Sequence, residues 1–173
     1  MLTRLTLVVA GLFCASCALT QDKNGNWIAD PKSGCKVWDA NPVPNAAISW
    51  SGGCANGFAQ GRGALQYFEN GKPSDRYEGG MANGKNNGRG VFTGVDGDRY
   101  EGEWRDHKAN GRGVYTRANG ERYEGEWRDH LPNGYGTAVV GGQTFAGNWT
   151  NGCFQQGNRR SFVATTKEAC GFK

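Results

Sequence analysis

The chain has 173 residues, enough for one ordinary domain, and its formal net charge of +4 is modest. Glycine accounts for 29 of these residues, well above its usual share of roughly 7%. The glycines lack a strict three-residue period, which excludes collagen, and the 12% share of aromatic residues excludes a disordered linker. Acidic and basic residues are interleaved without a basic block, so the composition predicts no binding of nucleic acid.

The first 18 residues have the proportions of a secretory signal peptide. A short positive region, Met1–Arg4, precedes an apolar run of nine residues, Leu5–Phe13. This run is too short to span a bilayer, which takes about 20 apolar residues, and small residues follow it as they do before a cleavage site. We therefore predict an exported protein of the periplasm, the outer envelope or the secreted fraction, cleaved after Ala18 or Thr20.

The same stretch leaves a lipoprotein as an alternative. Ala15-Ser16-Cys17 resembles the end of a bacterial lipoprotein signal, in which the cysteine becomes the acylated first residue. Cys14 departs from that pattern, because such signals usually carry Leu at this position. Fatty-acid labelling that is lost in Cys17→Ala would support lipidation, and an unlabelled protein would exclude it.

Four cysteines remain after the predicted signal: Cys35, Cys54, Cys153 and Cys170. An even number in an exported chain predicts two disulfides, for which three pairings are possible. Position favours one short loop at each end of the chain's repetitive part, closed by Cys35–Cys54 and Cys153–Cys170. The alternative is a zinc site of four thiolates, but the spacing lacks a close pair of cysteines and export disfavours it.

Residues 19–49 form a non-repeat N-terminal segment. Asn-Gly, Asp-Pro and Asn-Pro pairs indicate turns around two short apolar segments, Trp27-Ile28 and Val37-Trp38. Acidic and amide residues near its start are spaced like a calcium loop, but Trp27 takes the place of the Gly in the sharp turn and Ser33 that of the bidentate Glu. The pattern therefore favours an ordinary polar loop.

A unit of about 23 residues repeats over residues 50–157. Its best-kept copy, Arg99–His107, recurs almost letter for letter as Arg122–His130. A repeat of this length is one supersecondary unit that cannot bury its apolar face alone, so the copies must stack on one another. Five copies begin with an aromatic-x-Gly motif, at Trp50, Tyr77, Tyr100, Tyr123 and Phe145.

Each copy shows the alternation of a β-strand. Tyr100, Gly102 and Trp104 fall on one face, and the charged residues between them fall on the other. We predict a turn at Asn110-Gly111 and a returning strand at Val114–Thr116, so that each unit is a β-hairpin in one antiparallel meander. A strand glycine such as Gly102 would let an aromatic ring of the neighbouring strand lie over the backbone.

Residues 158–173 form a C-terminal cap. Ser161–Ala164 has the composition of a last strand. Thr165–Glu168 has the capping-box spacing of one helical turn, which Gly171 would end. We expect this segment to cover the last edge strand of the sheet.

The pattern Tyr-Glu-Gly-x-Trp followed by Asn-Gly-Arg-Gly resembles the MORN repeat, the membrane occupation and recognition nexus. The resemblance covers residues 50–157 and is weaker in the first two units, where Cys54 and Met81 stand at positions for which the family prefers Trp or Phe. It implies an all-β fold, an elongated single-layer antiparallel meander of about five MORN-type β-hairpins with short non-repeat caps at both ends. In other members such arrays serve as scaffolds, dimerisation surfaces or proposed membrane-associating modules.

His107 and His130 occupy the same column of adjacent units, which suggests a metal site. Equivalent positions of successive hairpins lie two strands apart, about 9.6 Å. Two nitrogens bound to one zinc ion lie no more than about 4.2 Å apart. Turn histidines of a duplicated unit are therefore the simpler interpretation, and we predict no metal and no cofactor.

Glu101 and Glu124 are separated by roughly the distance of paired acids in inverting glycosidases. Glu78 lies in the same column, however, so the acids form a ladder rather than a pair. With arginines beside them they would form solvated cross-strand ion pairs of about 0.2–1 kcal/mol each. Nothing in the pattern buries one carboxyl to raise its pKa, so we predict no catalytic residues and no enzymatic activity.

Two surfaces remain as candidate binding sites. One is the aromatic face, which curvature, the terminal segments, a second copy or a ligand must cover in part: Tyr77, Tyr100, Tyr123, Trp104, Trp127 and Trp149. The other is an arginine column that could meet phosphates or acidic lipid head groups, or pair with glutamates: Arg62, Arg89 and Arg112.

We therefore predict a non-enzymatic exported protein that acts as a protein-interaction or structural scaffold in the cell envelope, with a protein partner or a second copy of itself. The alternative is a module that binds a membrane-lipid or glycan surface. The two differ in their response to salt, since lipid binding through arginines weakens steeply with salt and a scaffold dimer does not.

Overall fold

The computed structural model describes residues 27–172, in which 14 β-strands form one sheet and no helix occurs. The predicted signal peptide and Cys17 lie outside these residues. The strands are β1 (Trp27–Ala29), β2 (Lys36–Trp38), β3 (Ala46–Trp50), β4 (Gly53–Ala55), β5 (Phe58–Glu69), β6 (Lys72–Ala82), β7 (Lys85–Thr93), β8 (Arg99–Arg105), β9 (Lys108–Thr116), β10 (Arg122–Arg128), β11 (Leu131–Val140), β12 (Gln143–Thr150), β13 (Cys153–Gln156) and β14 (Arg159–Phe162).

From β5 to β14 the strands lie in the sheet in chain order, each antiparallel to the next. Since each unit contributes an outgoing and a returning strand, this order confirms the predicted all-β meander of hairpins. Pairing begins before Trp50, because all of β3 is antiparallel to β5.

The hairpin turns lie at Asp106-His107 and its equivalents, and the turn predicted at Asn110-Gly111 was wrong. Asp106 and His107 both have positive φ, 49° and 69°, as a type I′ turn requires. Asn110-Gly111 lies inside β9, where a register shift between Gly102 and Trp104 marks a bulge and Gly111 has φ 107°. Asn-Gly suits a bulge as well as a turn, and Asp and His tolerate the left-handed region, so the sequence signal was ambiguous.

Each of these turns also bonds to the preceding unit. The amide of His107 donates to the carbonyl of Asn86 (2.9 Å), and that of His130 donates to the carbonyl of Ala109 (3.1 Å). Gly84 and Gly152 make the equivalent bonds. Successive hairpins are therefore joined at their turns as well as along their strands.

The strand glycines make room for a ring, which comes from the same strand for Gly102 and from the neighbouring strand for Gly113. A Cβ added to Gly113 would lie 2.6 Å from Cζ of Tyr100, and one added to Gly102 would lie 2.6 Å from the hydroxyl of that tyrosine. Tyr100 leans along its own strand over the paired Gly102 and Gly113, because residues two apart share a face, and its hydroxyl donates to the carbonyl of Glu103 (3.1 Å). The prediction of a ring from the neighbouring strand was therefore wrong for Gly102, although it describes Gly113.

Both ends of the sheet carry a disulfide, with the pairing that position favours. Cys35–Cys54 (Cα–Cα 5.7 Å) joins the β1–β2 hairpin to the first unit, and Cys153–Cys170 (Cα–Cα 5.6 Å) joins the tail to β13. Asp30 is buried beside the first disulfide and accepts hydrogen bonds from the amide of Lys32 and the hydroxyl of Ser33. This carboxylate is therefore committed to a turn, as the polar-loop interpretation expects.

The C-terminal segment ends the sheet and then folds back. β14 covers β13, and the amide of Val163 donates to the carbonyl of Gly152 (2.9 Å). Thr166, one residue after the predicted position, caps a single hydrogen-bonded turn by accepting from the amide of Ala169 (3.1 Å). Gly171, with φ 67°, ends this turn as predicted.

Candidate functional site

The six rings proposed as an aromatic binding face are packed against one another. Trp104 is the most exposed of them, at 7%, and Tyr77 and Tyr123 are fully buried. Tyr and Trp rings of successive units alternate edge to face, with five centroid distances of 5.1–5.4 Å along the series Tyr77, Trp104, Tyr100, Trp127, Tyr123 and Trp149. We call this series the ring ladder. It forms the core of the sheet, so its rings present no open aromatic surface of their own.

The polar atoms of the ring ladder also have partners within the sheet. Each tyrosine hydroxyl donates to the carbonyl three residues further on, at 2.8–3.1 Å. Each indole donates to a glycine carbonyl of the preceding unit, as Trp127 does to Gly113 (3.1 Å). The tyrosine bonds fix the rings within a unit, and the indole bonds join each unit to the one before it.

A groove of about 500 Å³ remains open over part of the ring ladder. Its floor is the aromatic face of β6 to β10, where Phe92 and Tyr115 are only partly buried. The loop at Asp39–Val43 lines it at one end and Ala164 of the tail also lines it. Its volume is in the range of ligand sites, roughly 300–1,000 Å³, and we call it the aromatic groove.

Three carboxylates line the aromatic groove, the exposed Glu69 and, near Tyr67, Asp39 and Asp75. Asp39 lies in the loop after β2 and Asp75 in a bulge of β6, and both are partly buried. Burial, and then the charge of Asp75, raises the pKa of Asp39 despite a hydrogen bond from the amide of Asn41. Burial, with the charges of both carboxylates, raises the pKa of Tyr67. This part of the groove is therefore a site of negative potential beside an aromatic ring.

Asn86 differs from its equivalents in the other units. Ala59, Ala109 and Pro132 occupy the same position on their strands and are buried, and Asn86 is also only 3% exposed. Its Oδ1 has no hydrogen-bond partner among residues 27–172. A buried acceptor without a partner costs about 1–3 kcal/mol, and this one lies in a residue that lines the aromatic groove.

His107 and His130 are turn residues, as predicted, and their side chains also line the aromatic groove. Burial lowers the pKa of His107 to about 4, with smaller contributions from the charges of His130 and Lys85. Burial also lowers the pKa of His130, whose Nδ1 accepts a long hydrogen bond from the amide of Ala109 (3.4 Å). The Nδ1 of His107 has no partner within the described part of the chain.

The arginine column lies exposed on the opposite face. Within residues 27–172, no carboxylate lies within 4.0 Å of the column's three guanidinium groups: Arg62, Arg89 and Arg112. Ion pairs form instead between residues two apart on one strand, at 2.6–2.7 Å: Arg76–Glu78, Arg99–Glu101 and Arg122–Glu124. The glutamate ladder is thus exposed and paired, but within strands rather than across them, which corrects the predicted geometry.

Residues 27–172 contain no group of three or more His, Cys, Asp or Glu side chains placed to hold a metal ion. No helix in that range is long and apolar enough to cross a membrane. The aromatic groove, with its apolar floor and its carboxylates, is suited to binding an elongated apolar segment with a polar or cationic end.

Sequence reasoning missed Asp39, Asp75 and Asn86. The first two lie in irregular segments and meet only through the pairing of distant strands. Asn86 carried a usable signal, because alignment of the units places it in a column with Ala59 and Ala109.

The MORN repeat family model matches residues 77–99, 100–122 and 123–139. These are the three central units. The units that begin at Trp50 and Phe145 lie outside the match. A search of the curated proteins found no match to the chain. MORN repeats are generally modules that bind proteins or membranes.

Proposed function

Because the chain is a MORN-repeat protein, we propose that it is a non-enzymatic scaffold of the cell envelope that binds a segment of a partner protein in the aromatic groove. One observation carries this proposal. The ring ladder satisfies its own polar atoms and buries its own rings, yet an apolar groove of about 500 Å³ stays open above it.

Export is part of the proposal. Two disulfides are consistent with an oxidising compartment, where such bonds persist. The composition of the first 18 residues, a short positive region before an apolar run, supports the same location.

Site-specific photo-crosslinking in intact cells tests the groove. A photoreactive phenylalanine analogue replaces Phe92, which lines the groove, or Tyr135, which is 62% exposed and is not among its lining residues. We expect one partner protein, identified by mass spectrometry, to crosslink at position 92 and not at position 135. Equal labelling at both positions, or labelling only at 135, would reject the groove as the binding surface.

A second candidate function is binding to anionic lipid surfaces through the arginine column. The observation that favours it is that, in the described chain, Arg62, Arg89 and Arg112 are exposed and have no carboxylate within 4.0 Å. Co-sedimentation with phosphatidylglycerol vesicles tests it. Binding that falls steeply with salt and is lost in Arg89→Gln/Arg112→Gln would favour this candidate, whereas no binding at low salt would reject it.

A further inference from the structure

The aromatic groove combines a negative part, an apolar floor and a buried acceptor without a partner. We propose that it recognises an extended segment of a partner protein that carries a lysine or arginine flanked by apolar residues. This inference rests on the proposed function and specifies the chemistry of the partner.

The cation would bind at Asp39 and Asp75. Each carboxylate accepts one backbone hydrogen bond at 2.9 Å, Asp39 from the amide of Asn41 and Asp75 from that of Val95. Neither forms an ion pair with a residue in the described range. Two like charges that face one partly buried aromatic ring are unfavourable in the free protein, and a cation relieves that repulsion.

The aromatic rings fit the rest of such a side chain. Tyr67 lies with the two carboxylates, and the partly buried Phe92 lines the floor of the groove. An aromatic ring attracts a cation over its face and packs against the methylene groups of a lysine or arginine stem. The whole chain has a net charge of +4, so this acidic part of the groove is a local reversal of the protein's charge.

Asn86 provides the second anchor. Its buried Oδ1 has no partner in residues 27–172, although three equivalent positions hold Ala59, Ala109 and Pro132 and need none. An unpaired acceptor destabilises the free protein, and an amide N–H of a bound segment would satisfy it. Asn86 therefore lowers the stability of the free protein, and a bound segment that donates to its Oδ1 would restore that stability.

Calorimetric titration of the full mature chain with three capped hexapeptides tests the inference. The peptides alternate leucine with lysine, with glutamine or with glutamate. We expect the lysine peptide to bind at least tenfold more tightly than the glutamine peptide at low salt, and the glutamate peptide to bind more weakly than either.

The Asp39→Asn/Asp75→Asn variant, which keeps both backbone hydrogen bonds, should lose the preference for lysine. The control variant Glu101→Gln/Glu124→Gln, which changes the exposed glutamate ladder, should retain the preference for lysine.

Asn86→Ala separates a binding role from a structural one. We expect this variant to unfold at a higher denaturant concentration than the natural chain and to bind the lysine peptide about fivefold more weakly. A lower unfolding midpoint would show that Asn86 is structural and would count against its role as an anchor.

The outcomes distinguish the inference from the proposed function. Equal affinity for the lysine and glutamine peptides would overturn recognition of a cation and leave groove binding in place. If none of the three peptides binds, the inference fails, and the crosslinking at position 92 decides the proposed function independently.

Discussion

His107 and His130 occupy turn positions that glycine holds in three other units, at Gly57, Gly84 and Gly152. Both histidines have φ near +69°, a region that side chains with a Cβ seldom adopt, at a cost on the order of 1–3 kcal/mol. Both side chains line the aromatic groove, His107 partly buried and His130 exposed. The duplicated Asp-His pair therefore replaces an unstrained glycine turn with two histidine side chains that line the aromatic groove.

The partly buried ring of His107 makes stability depend on pH. Its pKa is about 4 in the folded protein and 6.5 when unperturbed, so the unfolded chain binds more protons between these values. The contribution of His107 to the free energy of unfolding should therefore fall as the pH drops from 6.5 to 4, by on the order of 2 kcal/mol, and level off below pH 4.

Chemical denaturation of His107→Gly between pH 7 and pH 4 checks this. The variant restores the Gly of the equivalent turns, and we expect a shallower dependence on pH than in the natural chain. An unchanged slope would show that other groups cause the loss at low pH.

Gly113 is required for the packing of Tyr100. Gly113→Ala would place a Cβ 2.6 Å from Cζ of that ring, and we expect a loss of about 1–3 kcal/mol in the free energy of unfolding. In a Tyr100→Ala background the same substitution should cost less than half as much, because the clash is absent. Additive effects of the two substitutions would argue that the ring does not need this glycine.

At the scale of single elements, alternation predicted well which side chains enter the core. Tyr100 and Trp104 are buried and Arg99 and Glu101 are exposed, because side chains in a strand alternate between faces regardless of where the strand ends. The ends themselves were not predictable from local signals. Asp106-His107 is a weak turn signal and Asn110-Gly111 a strong one, yet the hairpin turns at Asp106-His107, where the amide of His107 also bonds to the preceding unit.

The last two strands and the tail depend on the second disulfide. Cys153→Ser/Cys170→Ser opens a link of 17 residues, and the chain-entropy model predicts a loss of about 3 kcal/mol. We expect hydrogen exchange to accelerate first in β14 and residues 163–172, since β14 is the last strand of the described sheet and pairs only with β13. Unaltered exchange there, with a lowered global stability, would contradict this order of unfolding.

At the scale of the whole molecule, the repeat should be removable as a unit. Deletion of residues 100–122 joins Arg99 to Tyr123 and recreates the Arg-Tyr sequence that opens both β8 and β10. We expect a folded sheet with a smaller dependence of unfolding free energy on denaturant, because less surface is buried.

Circular dichroism and urea titration would establish this. Deletion of residues 100–111 is the matched control, since it removes one strand and part of the next, and we expect it not to fold. Failure of the full-unit deletion to fold would show that the ends of the sheet cannot adapt to a shorter array.

The fold was predictable from the sequence because each unit repeats the same local rules, but the aromatic groove was not. Asp39, Asp75 and Asn86 belong to different units or to none, and their proximity follows from strand pairings that no local pattern records. The rings of the ladder were correctly placed on one face. Their mutual burial depends on the indoles reaching back to the preceding unit, which periodicity alone does not reveal.

The order of the strands also determines how the protein would respond to force. The first and last strands lie at opposite ends of the sheet, so tension on the termini would peel hairpins away one after another rather than shear all strands together. Each released unit of 23 residues would lengthen the chain by about 80 Å, whereas the loops closed by the two disulfides could not extend. Under mechanical load, such an array would lengthen in steps of similar size until only the disulfide-closed ends remained.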